Sequence, residues 1–214
     1  MRNKFDEQIL ELNDAMIEMG TMIENAIAGA VTAIMDNDTD LANQIVDTAD
    51  EMHQKEREIE AMCLKLLLQQ QPVARDLRTI SSALKMITDM RRIGIQAGDI
   101  CEVKLTSESL EGGKLPDYIK QIAKATIEMV DDSIEAFVKK DLELAYKVAA
   151  LDTKVDNLFK QIKSDLIAAI RNNSQGSEQA IDILMIAKYL EKIGDHANNI
   201  SEWVAFSITG RHRK

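Results

Sequence analysis

Oxygen-bearing side chains in the C-terminal half are spaced as metal ligands are. Glu191, Asp195 and Asn199 recur at i, i+4 and i+8, and Glu202 follows. At about 100° per residue they run along one side of a helix. Asp152 and Asp156 form a second i, i+4 pair, set among the apolar Val148, Leu151, Val155 and Leu158. Two such helices packed side by side gather hard oxygen donors that repel one another until cations neutralise them. A divalent or ferric ion is the expected occupant. The competing reading is two solvated stripes that point to water on different faces. Gly194 stands between the two carboxylates of the later stripe. Glycine inside a helix costs about 1 kcal/mol against alanine, and close approach by a neighbouring helix accounts for its presence.

The N-terminal half carries a poorer version of the same set. His53, Glu56 and Asp99 remain as donors, with Asp89 and Glu102 nearby, while Arg91 and Ile95 stand where the other half has Glu191 and Asp195. Arg91 there supplies in protein form the positive charge that a metal supplies in the other half. Other chemistries lack their residues. There is no glycine-rich phosphate loop, no G-x-S-x-G and no C-x-x-C. A ferritin-like di-iron site wants two Glu-x-x-His pairs, and the nearest match is the single Asp50-x-x-His53.

The elements that must carry these residues are helices. The chain of 214 residues holds only nine glycines and two prolines, too few for the regular turns of a β-sandwich or barrel. Apolar residues recur at three and four over 5–35, with Leu12, Met16, Met19, Ile23, Ile27, Ala30 and Ile34. The methionines of this run read as core packing or as an adaptable partner surface. Punctuation at Asp36–Asp40, Pro72, Gly112-Gly113 with Pro116, and 172–177 divides the rest. The expected helices span 5–35, 39–70, 73–106, 117–139, 141–171 and 178–208.

The plan repeats. Residues 91–102 lie over 191–202 with Ile, Gly, Ala, Ile and Glu coinciding, and Asp38–Ala42 lies over Asp141–Ala145. The chain therefore reads as an all-α protein, a tandem duplication of a three-helix unit. The units are expected over 1–110 and 117–214, as two three-helix bundles of antiparallel helices.

Net charge of −10 argues against nucleic-acid partners. No run of about 18 apolar residues is present to span a bilayer, and the first residues lack a secretory pattern. Cys63 and Cys101 sit inside helical apolar patterns, which fits a reduced, cytoplasmic compartment. The basic tail Arg211–Lys214 is too small to anchor on anionic lipid.

Three segments together resemble a known family: Gln71–Arg78 between helices, Asp89–Gly94, and Leu190–Asp195. With the duplicated three-helix plan they are similar to the PhoU family, the phosphate-transport accessory and regulatory proteins. The resemblance covers nearly the whole chain. It implies a non-enzymatic cytoplasmic regulator that acts with the phosphate ABC transporter and a phosphate-sensing histidine kinase, damping uptake and holding the starvation response off. It further implies a homodimer, membrane association only through protein partners, and multinuclear metal, iron or zinc, on acidic motifs. Those motifs map onto Asp152, Asp156, Glu191, Asp195 and Asn199, and less completely onto Glu56, Asp89 and Asp99. A helical-bundle metalloenzyme, a hydrolase or oxidase using the acidic cluster, is the alternative.

Overall fold

The computed structural model describes residues 2–69, 72–110, 116–172 and 176–211. Gly112-Gly113, Gln71, Asn173–Gln175 and the tail His212–Lys214, all used above as punctuation or motif, lie outside them. Six long helices carry the chain: α1 (Arg2–Met35), α2 (Thr39–Gln69), α3 (Ala74–Thr106), α4 (Asp117–Lys139), α5 (Leu142–Asn172) and α6 (Ser177–Thr209). Their ends fall within three residues of the expected ones. The 3₁₀ turn Glu108–Leu110 has no counterpart among the helices expected from the sequence. It presses against the start of α6, where the hydroxyls of Ser107 and Ser109 both donate to Asp182.

The duplicated aspartates do the same local job twice. Asp38 Oδ1 accepts the Leu41 amide at 2.9 Å, and Asp141 Oδ1 accepts the amides of Glu143 and Leu144 at 3.0 Å. Each satisfies N–H groups that a helix start leaves without a partner. Asn37 and Lys140 precede them in the left-handed region, at φ 55° and 54°, turning the chain tightly out of α1 and α4.

Within each unit the three helices pack on one another, and the units meet through α3 against α6 and α1 against α4. Both seams are antiparallel, so one apolar core runs through the duplicated bundles. Met16, Met19, Ile23 and Ile27 of α1 are fully buried in it, as are Met90 and Ile93 of α3 and Leu190 and Ile193 of α6. Each such side chain stabilises by about 1.5–3 kcal/mol relative to exposure. The α1 methionines Met16 and Met19 are thus core, whereas Met35 is exposed.

The motif glycines are contact points. A Cβ on Gly194 would lie 3.3 Å from Val155 Cγ1 of α5, and one on Gly94 would lie 2.7 Å from Met52 Cγ of α2. These close approaches hold α5 on α6 and α2 on α3 in register, which is what sets the carboxylate stripes side by side.

Candidate metal centre

Asp156 of α5 and Glu191 and Asp195 of α6 offer carboxylate oxygens that all lie within 4.8 Å of one another. Among the described residues this is the one group of three or more His, Cys, Asp or Glu side chains gathered so closely. All three are half-buried. Lysines partly neutralise them: Lys188 donates to Glu191 at 2.6 Å, Lys192 to Asp195 at 2.5 Å, and Lys160 stands 3.7 Å from Asp156. Lys188 also lies over the Phe159 ring, 5.1 Å from its centroid. Asp195 holds the Lys192 ammonium above its ordinary pKa, burial working against this.

Asp152 completes the α5 side one turn earlier. Burial first, then the charges of Asp156, Asp195, Glu191 and Glu202, hold its carboxyl above the usual range. Asn199 does not join the group: it is exposed. Its neighbour Asn198 donates to Asp152 Oδ2 at 3.4 Å instead. The reason is helical drift. From Glu191, position i+7 lies about 20° off the stripe while i+8 lies about 80° off it.

The chemistry of the donor set fits a cation. Oxygens within a few ångströms on two packed helices converge on one ion with small side-chain rotations, and an all-oxygen set suits a hard ion. The lysines are on long, half-exposed stems that can swing away.

The first unit is built differently. Arg91 Nε approaches Glu56 Oε2 to 2.8 Å, an ion pair without the alignment of a hydrogen bond, and His53 Nδ1 lies 3.5 Å from the same oxygen. At the places of Asp156, Glu191 and Asp195 this unit therefore carries an imidazole, a guanidinium and the aliphatic Ile95. Asp99 lies elsewhere on α3, accepting from Gln96 at 3.2 Å, its carboxyl raised by burial and then by Glu102. Asp89 is buried in the seam between the units, where it meets His196 Nδ1 of α6 at 2.8 Å. Glu56, Asp89 and Asp99 are not brought together. Sequence reasoning missed His196 and Asn198; His196 sits inside the repeated motif opposite Gln96, which marks it as polar at a packing position.

The family model for the PhoU domain matches this chain twice, over residues 16–103 and 119–204. The chain belongs to the PhoU family. A PhoU-family relative from Clostridium acetobutylicum, a phosphate-specific transport system accessory protein PhoU homolog, is 33% identical over 98% of this chain and 96% of its own length. The accessory protein PhoU of Escherichia coli is 27% identical over 97% of this chain and 86% of its own. In structure, the crystal form of PhoU from Pseudomonas aeruginosa superposes with a TM-score of 0.89 at 30% identity, covering 97% of this chain and all of that one. The PhoU of Streptococcus pneumoniae shares the fold with a TM-score of 0.89 at 23% identity.

Proposed function

We propose that this chain is a non-enzymatic accessory regulator of phosphate uptake. It acts in the cytoplasm, as a homodimer, between a phosphate-specific ABC transporter and a sensor histidine kinase, and holds the starvation response off when phosphate is plentiful. Its two units, 1–110 and 117–214, have diverged in role. The second binds iron or zinc through Asp152, Asp156, Glu191 and Asp195; the oxygen-only donor set favours ferric iron. The first keeps Glu56 satisfied with Arg91 and His53.

The observation that carries this reading is the match of both halves to a family whose relatives are named as accessory proteins of phosphate transport. The carboxylate group on α5 and α6 supports the metal part. A bound cation supplies positive charge that cancels the repulsion among these carboxylates. The chain's own residues fix the rest: Gly194 lets α5 approach, Asn198 orients Asp152, and Lys188 and Lys192, which hold Glu191 and Asp195, would have to release them to an ion.

No helix among the described residues is long and apolar enough to cross a membrane. Membrane attachment in this reading comes through the transporter, and charge steering to it fades with salt. Flotation separates the cases. The chain should float with membranes that contain the phosphate transporter and stay behind with bare anionic liposomes. Strong binding to the bare liposomes, or none to the transporter membranes, contradicts the reading.

A further inference from the structure

The α1–α4 seam carries a feature that the carboxylate site does not use. Ile17, Gly20, Thr21 and Glu24 of α1 face Asp131, Ile134, Glu135, Val138 and Lys139 of α4 across an open slot of about 260 Å³. That volume suits one or two side chains rather than a drug-sized ligand. Gly20 lets Ile134 of α4 pack onto α1 at the floor of the slot, since a Cβ there would lie 2.5 Å from Ile134 Cδ1. Ile17 is 45% exposed at its edge.

The rim is acidic and short of counter-charge. Glu135 has Lys139 for a partner, and Lys147 serves Asp132. Among the described residues neither Glu24 nor Asp131 has an ion-pair partner. Burial, then Glu24, Asp132 and Glu135, pushes the Asp131 carboxyl up to about 6. An apolar slot flanked by Glu24 and Asp131, which no cation among the described residues neutralises, is complementary to a cationic amphipathic helix. One aliphatic side chain fills the slot and flanking Lys or Arg side chains meet Glu24 and Asp131. A second copy of this acidic chain would set like charges against each other on this face. Anionic lipid and nucleic acid are repelled by the same rim.

We infer that the α1–α4 groove is a docking site for a basic amphipathic helix of a partner protein. This goes beyond the metal site, with which it shares no residue, so either can fail alone. The probe is a labelled helical peptide with leucines at i, i+3, i+4 and i+7 and lysines elsewhere, titrated into the full chain and followed by fluorescence anisotropy. Wild-type chain should bind it, and the pair Glu24→Gln with Asp131→Asn should weaken binding by about tenfold or more. Thr21 is exposed, so Thr21→Arg leaves the fold intact and should block the groove by bulk and charge. The control pair Glu7→Gln with Glu143→Gln removes equal charge from exposed positions elsewhere and should change binding less than about twofold. The inference is overturned if wild-type chain does not bind, if the control pair weakens binding as much as the groove pair, or if a peptide with serines for leucines binds equally well.

Discussion

Arg91 Nε lies 2.8 Å from Glu56 Oε2, whereas its counterpart in the second unit, Glu191, is itself a carboxylate facing Asp156 and Asp195. One fold repeated twice thus solves the same electrostatic problem in two ways. In the first unit a built-in guanidinium neutralises the acid between α2 and α3. In the second, three carboxylates are left with only surface lysines.

Removing the guanidinium should expose its importance to folding. The Glu56 side chain is 16% exposed, so Arg91→Ala leaves a largely buried carboxylate with only His53 beside it. The expected cost is about 1–3 kcal/mol, read as a lower Tm in thermal melts. Metal binding by the second unit should be unchanged.

The buried pair between the units gives a second expectation. Asp89 and His196 side chains are 10% and 16% exposed, and their contact spans the α3–α6 seam. His196→Ala and Asp89→Ala should each destabilise by about 1–3 kcal/mol. A double-mutant cycle should show a coupling of roughly 0.5–3 kcal/mol. Additive effects would mean the contact does not hold the units together.

These two pairs also mark where the sequence was legible and where it was not. Helix ends were readable because Asp38, Asp141 and Pro116 act locally, through caps and a fixed φ. The α5–α6 carboxylates were readable because i, i+4 spacing and Gly194 report one helix face and its neighbour. The contact of Asp89 with His196 was not, since it depends on how α3 meets α6 across more than a hundred residues of chain. A four-residue rhythm leads to Asn199, because carried to i+8 it drifts off the face that i+7, Asn198, keeps. The fold of Glu108–Leu110 onto Asp182 has no periodic signature at all.

The Asp131 carboxyl supplies a pH expectation. Its folded-state value, about 6, lies above the ordinary carboxyl value of 3.8. A raised value means the folded chain holds the proton more tightly than the unfolded one. Its contribution is therefore present at low pH and lost as pH rises through about 6. The groups facing it are Glu24 on α1 and Asp132 and Glu135 on α4, with Lys139 and Lys147 drawn to the latter two. Asp131→Asn should melt about 1–3 °C above wild type at pH 7.5, and level with it at pH 4. Solvent still reaches the partly covered Asp131 side chain, which keeps the effect small.

The two thiols should be inert in the native state. Burial pushes both Cys63 and Cys101 up to about 12, Glu60 adding to the effect at Cys63. Almost no thiolate exists at neutral pH, and both side chains are in the core. A thiol reagent at pH 7.5 should modify neither until denaturant is added. Rapid labelling of the folded chain would show that α2 or α3 opens locally.

The most direct test of the divergence between the two units is the metal content of the chain, purified without chelator or affinity tag and measured by mass spectrometry. Wild-type protein should carry iron or zinc. Glu191→Gln with Asp195→Asn should lose it, while Glu56→Gln with Asp99→Asn should retain it. Metal-free wild-type protein, or equal loss from both pairs, would contradict the assignment of the ion to α5 and α6.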